Sequence, residues 1–313
     1  MRSHPHFKAY LALAAVCFFW GTTYLTIRMA LEGFPPLVLV ATRFTLSGAV
    51  MLLAARLMGA RLPRGRELWL TSFYGLMVLG MGNGCLVYAE MWIPSGLAAI
   101  MLTVSPFWMV GIEALLPGGE RLKATTIAGM LIGCTGTLLL VGHGALLSQN
   151  KANLLLGFLL LQVGCLSWTS GSLFQRRMNT EVHPVVSGAV QQLATGLAFT
   201  VLALLAGQRF TMGSGRATAA LLYLVVFGSI VGYSSYIYAL DRLPVAIASL
   251  YTYVNPVVAV ILGWLFYRER FDRRDLLAML IIFAGVAVVK RFAVSSSAPA
   301  PSLPAPRPPS APM

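Results

Sequence analysis

LGMGNGCLVYAEMWIPSG, residues 79–96, sets glycines at positions 80, 82 and 84, with Asn83 among them and Glu90 further along. Two folds compete for this stretch. In a soluble α/β protein a glycine-rich turn between a strand and a helix cradles a phosphate. In a membrane protein the same glycines lie within a helix and let a neighbour approach closely. The phosphate-binding pattern G-x-G-x-x-G needs a glycine where Cys85 stands, and it needs a strand ahead of it. What surrounds the stretch favours the membrane.

The chain has 313 residues, of which 58% are hydrophobic and 11% charged. Soluble domains carry about 25% charged residues, so this chain cannot cover a water-facing surface. Apolar runs recur between short polar breaks at 9–29, 36–58, 68–90, 95–116, 124–142, 153–173, 185–206, 218–240, 244–267 and 275–292. About 20 apolar residues in a helix span a hydrocarbon core of about 30 Å. Backbone groups there must be satisfied within their own segment, so helices are the expected form. The fold class is therefore all-α: a membrane protein of ten transmembrane helices. The quoted glycines fall inside the third.

The formal net charge of +13 does not gather into a nucleic-acid patch. Basic residues sit in the breaks, as Arg61, Arg64 and Arg66 do, a distribution that reports topology. With the N-terminus inside, the first five spans put most of the basic residues in the cytoplasm, with Arg28 and Lys151 outside. Arg268, Arg270, Arg273 and Arg274 then also lie outside, and both termini are cytoplasmic. The first span is too long for a cleavable signal peptide and lacks an A-x-A-like site. Cys17, Cys85, Cys134 and Cys165 lie in apolar runs without metal-ligand spacing, and are read as small hydrophobes. No cofactor and no metal site are expected. The segment 293–313, rich in Pro, Ala and Ser, is read as a disordered tail.

The chain also repeats itself. A shift of 148 aligns Cys17 with Cys165, Trp20 with Trp168, Leu25 with Leu173, Arg28 with Arg176, Pro36 with Pro184, Ala41 with Ala189 and Gly48 with Gly196. A shift of 150 aligns Tyr88 with Tyr238, Ala89 with Ala239, Pro94 with Pro244, Ala98 with Ala248, Val104 with Val254 and Pro106 with Pro256. Residues 9–142 and 153–292 thus read as two five-span halves. An odd span count inverts the second copy, the arrangement of many secondary transporters.

Phe19-Trp20-Gly21-Thr22-Thr23-Tyr24, Pro35-Pro36, Arg43-Phe44, Gly82-Asn83-Gly84, Ala89-Glu90 and Pro94-Ser95-Gly96-Leu97-Ala98-Ala99 stand in order along the first half. Glu120-Arg121 closes it, and the second half carries Tyr253-Val254-Asn255-Pro256-Val257-Val258-Ala259-Val260 and Glu269-Arg270. This series, over about residues 10–290, resembles the EamA-type transporters of the drug/metabolite transporter superfamily. The resemblance implies a bacterial inner-membrane carrier of ten helices in two inverted halves, usually exporting amino acids, related metabolites or amphiphilic compounds. The small multidrug relatives use a glutamate in their first helix; span 1 here has no acid. Small-molecule substrate and lipid bilayer are the implied partners, with a coupling proton as a candidate third. The oligomeric state stays open.

Ionisable groups inside a span cost roughly 2.5–3.5 kcal/mol each on insertion scales, so they are functional candidates. Arg43, whose repeat mate is Gln191, is expected to face the cavity and meet Glu90 or an anionic substrate group; the alternative is a pair that locks spans 2 and 3. Helical spacing puts Asn83 and Glu90 on one face, Trp168 and Gln175 on another, and Ser229, Tyr233 and Tyr236 on a third. Trp20 and Tyr24 hold the places equivalent to Trp168 and Ser172, and Tyr251 shares a face with Asn255. Aromatic rings with a few amides suit a pocket for amphiphilic solutes; Trp and Tyr are also common at membrane interfaces. For Asn83 and Asn255 a cavity role and a helix-locking role are equally open. Pro106 and Pro256 are hinge candidates in spans 4 and 9. Glu120-Arg121 and Glu269-Arg270 read as solvated loop pairs. An intramembrane enzyme would need a nucleophile with a base, or a metal cluster; no such constellation is seen. A channel or sensor-like membrane protein of the same fold remains the competing class.

Overall fold

The computed structural model describes residues 7–117, 123–147, 150–177, 182–211, 213–243, 251–269 and 271–294. Among these residues there is no strand, and contiguous helical segments join into ten helices. They are α1 (Phe7–Leu31), α2 (Pro36–Leu57), α3 (Arg66–Ala89), α4 (Ser95–Leu115), α5 (Ala124–Leu147), α6 (Lys151–Arg177) and α7 (Pro184–Leu205). α8 runs through Gly215–Tyr223, Leu224–Val231 and Gly232–Arg242, followed by α9 (Tyr251–Tyr267) and α10 (Arg273–Val294). Seven of them, α1–α4 and α6–α8, carry stretches long and apolar enough to cross a membrane; Ala124–Leu140 and Tyr251–Tyr267 are shorter apolar helices. The segments 118–122, 244–250 and 295–313 lie outside the described residues. Glu120-Arg121, the start of the expected ninth span and nearly all of the expected tail therefore lie outside them too.

The ends follow ordinary helix chemistry. Pro36 and Pro184 stand in the first turns of α2 and α7, where a missing N–H costs nothing. Ser214 Oγ caps α8 by accepting from Ala217 N at 3.3 Å. Asp272 Oδ1 caps α10, accepting from Arg274 N at 2.7 Å and Asp275 N at 3.2 Å. α2 and α7 each end in a glycine with positive φ, Gly59 at 74° and Gly207 at 65°, conformations that L side chains avoid. Side chains such as Leu131, Leu138, Ile261, Trp264 and Leu205 are exposed on the outside, as lipid-facing positions would be.

α2 and α7 pack along their lengths, as do α5 and α10. Gly48 lies against the backbone of Leu193, and Gly196 against the backbone of Thr45. At the other pair, a Cβ on Gly136 would come within 2.9 Å of Ala278 O and Ile282 N. α1 packs on α8 and α9, while α6 packs on α3 and α4.

α3 and α8 are not uniform α-helices. Each carries a π-helical segment, Leu76–Met81 in α3 and Leu224–Val231 in α8. Such turns loosen the i→i−4 ladder and occur often at functional sites. Neighbouring helices donate into these regions. Ser167 Oγ bonds Met77 O at 2.9 Å, Thr195 Oγ1 bonds Gly75 O at 3.0 Å, and Trp20 Nε1 bonds Gly228 O at 3.1 Å. The GMGNG stretch is the second half of this broken α3. Gly82 makes room for the Trp168 ring, and Gly84 for the Phe199 ring, where added Cβ atoms would come within 2.9 and 2.8 Å.

Candidate functional site

The aromatic candidates converge. Trp20 of α1 lies at the centre, 5.0 Å from Tyr236 of α8, 5.1 Å from Tyr251 of α9 and 5.9 Å from Trp168 of α6, centroid to centroid. Tyr236 and Tyr251 are 5.6 Å apart and roughly perpendicular. Four helices thus bring one ring each to a common point, in the tilted and edge-to-face arrangements that ring quadrupoles favour. All four rings are only half-buried. Trp20 is held there by its bond to Gly228 O, and Gly232 leaves the space its indole fills.

A polar shelf adjoins the rings. Tyr233 donates to Gln191 Oε1 at 2.8 Å, Gln191 Nε2 donates to Ser187 at 3.0 Å, and Gln175 Nε2 approaches the same hydroxyl at 3.4 Å. Gln192, fully buried beside it, accepts from Ser47 of α2. These contacts tie α2, α6, α7 and α8 together through neutral groups.

Arg43 and Glu90 are both buried, each 5% exposed. Arg43 Nε donates to Ser229 Oγ at 2.8 Å, and its guanidinium lies 4.8 Å from the Phe44 ring centroid. Gly228 has no side chain where Arg43 Nη2 passes. Among the described residues neither carboxylate oxygen of Glu90 has a hydrogen-bond partner. The two do not form the direct contact the sequence suggested. Ser229 takes that place.

Asn255 is buried between α9 and α1. With its amide turned so that nitrogen faces the carbonyls, it donates to Tyr251 O at 3.1 Å and Cys17 O at 3.0 Å. Asn83 is half-buried on α3, and Tyr24 is half-buried on α1. Pro106 stands in the first turn of the α-helical part of α4, after a 3-10 turn at Leu102–Val104. Pro256 lies inside α9 and is buried.

One feature departs from the loop reading. Glu269 is not a solvated loop residue: its side chain is 4% exposed. Its Oε1 accepts from Ser95 N at 3.0 Å and Ser95 Oγ at 2.9 Å, and its Oε2 accepts from Gly96 N at 3.1 Å. Arg28 completes the site as an ion pair with Oε1. The carboxylate sits on the N-terminus of α4, where free N–H groups and the helix dipole favour an anion. The signal available in sequence was that Arg28 and Glu269 fall on the same side of the membrane under the ten-span count.

The chain matches the EamA-like transporter family over residues 7–142 and again over 155–291. It belongs to that family. It is 34% identical over 291 residues to the uncharacterized inner membrane transporter YedA of Escherichia coli (strain K12), covering 92% of each chain. A probable terminal-alkyne amino-acid exporter of Streptantibioticus cattleyicolor is 27% identical, with 91% of this chain and 94% of that one covered. A probable amino-acid metabolite efflux pump of Escherichia coli (strain K12) is 28% identical, over 86% and 90%. One solved crystal structure superposes with a TM-score of 0.67 at 24% identity, covering 92% of this chain and 98% of its own, which speaks for the fold. As an EamA-like protein the chain is a multi-pass membrane transporter, and its aromatic cluster and buried charges lie among helices of both matched regions.

Proposed function

We propose that this protein is a secondary transporter that exports small metabolites, such as amino acids or amphiphilic compounds, across a bacterial inner membrane by alternating access. The observation that carries this reading is reciprocity between the two halves. Gly82 receives Trp168 while Gly232 receives Trp20; Gly48 receives Leu193 while Gly196 receives Thr45. Under the shifts of 148 and 150, each contact becomes its partner when the halves are exchanged. That exchange is what a two-fold axis between inverted five-helix repeats produces, and transporters of that design place substrate at the repeat interface. On this reading the Trp20–Trp168 contact straddles the axis, since the two are repeat mates with ring centroids 5.9 Å apart.

Alternating access then rocks one half against the other. The irregular turns of α3 and α8, with Pro106 and Pro256 in α4 and α9, are the proposed points of bending. Basic residues in the breaks of the first half favour cytoplasmic termini. The names of two relatives, an amino-acid exporter and an amino-acid metabolite efflux pump, favour amino-acid-like cargo.

The test is a metabolite panel in proteoliposomes, run with and without a pH gradient. A carrier shows uptake stimulated by substrate on the far side, and dependence on the gradient would identify a coupling proton. Flux without trans-stimulation would favour the channel reading. A panel in which nothing moves would remove the exporter reading.

A further inference from the structure

α9 stops at Tyr267, and Arg268 follows with φ of 52°, a left-handed conformation uncommon for a residue with a side chain. The turn bonds Glu269 N to Gly263 O at 3.2 Å. It brings the Glu269 carboxylate back over Gly263, where any side chain would collide with it. Tyr267 and Glu269 therefore leave the end of α9 as two fixed prongs.

Among the described residues, the side-chain partners of both prongs lie off α9. Glu269 takes the N–H groups of Ser95 and Gly96 at the start of α4 and pairs with Arg28 near the end of α1. Tyr267 donates its hydroxyl to Glu32, just past α1. The Tyr267 ring is flanked by the guanidinium of Arg28, 4.3 Å from its centroid, and by that of Arg216 on α8, at 5.5 Å. Arg216 Nε in turn reaches Glu32 at 3.6 Å. α1 and α4 belong to the first matched region and α9 to the second, so these contacts, those of Tyr267 with Arg216 apart, cross between the halves. They also gather on one face, where α1 and α9 end and α4 and α8 begin.

The α2–α7 and α5–α10 seams are of another kind. They meet through glycines and backbone and cannot part without baring apolar surface. The prongs are held by polar and charged groups. Arg28 is 32% exposed, Glu32 39% and Arg216 53%, and water competes well for ion pairs so placed. Such contacts part and re-form. Pro256 lies inside the same helix, where a missing backbone N–H lets α9 bend. On α1, Trp20, Tyr24 and Arg28 follow at intervals of four, which puts Arg28 about 12 Å further along the helix than the central ring.

We infer that Tyr267 and Glu269 are the latch of a gate on this face. Engaged with α1, α4 and α8, they shut the way to the ring cluster; released together, they open it. The inference rests on the alternating-access reading and names the residues that govern access on one side, which the structure holds shut.

The reporter is Tyr24→Cys in the full chain, placed between Trp20 and Arg28. A membrane-impermeant sulfonated maleimide is applied to spheroplasts, which present the latch face in the orientation proposed above, and to inverted vesicles. Labelling is read at position 24 by peptide mass, apart from the native cysteines. With the latch intact, labelling from its face should be slow. Adding Tyr267→Ala or Glu269→Gln should raise it at least about tenfold and lower labelling from the opposite face, because the two openings draw on one population. Where Glu269→Gln fails to fold, Glu32→Gln with Arg216→Gln, which touches only the exposed layer, should move both rates in the same directions. Unchanged labelling from the latch face in these variants would overturn the inference. So would equal rises from both faces, the mark of a static staple that has been loosened. The labelling needs no substrate, so it is judged apart from the metabolite panel. A panel that moves solutes beside unchanged labelling ends the latch and keeps the transporter reading. A silent panel beside shifted labelling removes the exporter reading and keeps a latch that opens.

Discussion

Trp20 and Trp168 meet edge to face with ring centroids 5.9 Å apart, although 148 positions separate them in the chain. Each indole also rests on a glycine of the opposite half, Gly232 for Trp20 and Gly82 for Trp168. The pair is both a packing element and part of the ring cluster, and the two roles can be separated.

Replacing Trp168 by Phe keeps an aromatic face but shortens the ring that fills the space over Gly82. An aromatic contact is worth about 0.5–1.5 kcal/mol beyond its burial, so KM for an amphiphilic substrate should rise about 2–10-fold with expression unchanged. Trp20→Phe should be worse, since it also removes the bond to Gly228 O. Counterflow kinetics of both variants check the order. A Trp168→Phe protein as impaired as Trp20→Phe would deny Trp20 its extra role.

Glu269 joins three separate regions: α1 through Arg28, the start of α4 through Ser95 and Gly96, and its own segment after α9. Removing one partner of a buried charged network costs about 3–5 kcal/mol in soluble proteins. Glu269→Ala should therefore lower the thermal midpoint in detergent strongly, and Ser95→Ala, which deletes one hydroxyl donor, should cost about 1 kcal/mol. Arg28, 32% exposed, should fall between them. Thermal unfolding followed by tryptophan fluorescence would rank the three.

The α2–α7 seam depends on backbone proximity. A Cβ on Gly48 would lie 2.8 Å from Leu193 Cα, and one on Gly196 would lie 2.7 Å from Thr45 Cα. Backbone cannot yield as a flexible side chain can, so Gly48→Val and Gly196→Val should prevent stable folding. Gly111 offers the contrast: its Cβ would find only Met130 Cε at 3.9 Å. Gly111→Ala, in a helix interior, should be neutral or stabilising by up to about 1 kcal/mol. Yield and thermal midpoint of the three variants decide it.

Much of this was legible because lipid imposes simple rules. Ten apolar runs give helices close to the observed ones, and an ionisable group inside an apolar run is what marks Arg43 and Glu90. Ser229, Tyr233 and Tyr236 reach Arg43, Gln191 and Trp20 in turn. What sequence could not supply were partners set by distant backbone. Glu269 reads as a loop acid until the N–H groups of Ser95 and Gly96 are brought to it. Pro106 reads as a mid-helix kink, yet its helix has already been broken by the 3-10 turn before it. The π segments have no residue signature, because they reflect how α3 and α8 fit their neighbours.

Asn255 has two roles open in sequence, and its neighbours favour one of them. Turned so that its amide nitrogen faces them, it donates to two backbone carbonyls, Tyr251 O on its own helix and Cys17 O on α1, an arrangement suited to clamping α9 to α1. Interhelical hydrogen bonds in membranes are worth about 0.6 kcal/mol on average and up to about 1.7 kcal/mol. Asn255→Leu should therefore lower stability by about 1 kcal/mol while leaving substrate KM within about twofold of wild type. Thermal unfolding and counterflow on the same preparation measure both quantities. A large rise in KM at unchanged stability would instead place the Asn255 amide in contact with substrate, because a clamp that binds only backbone has no direct means of setting affinity.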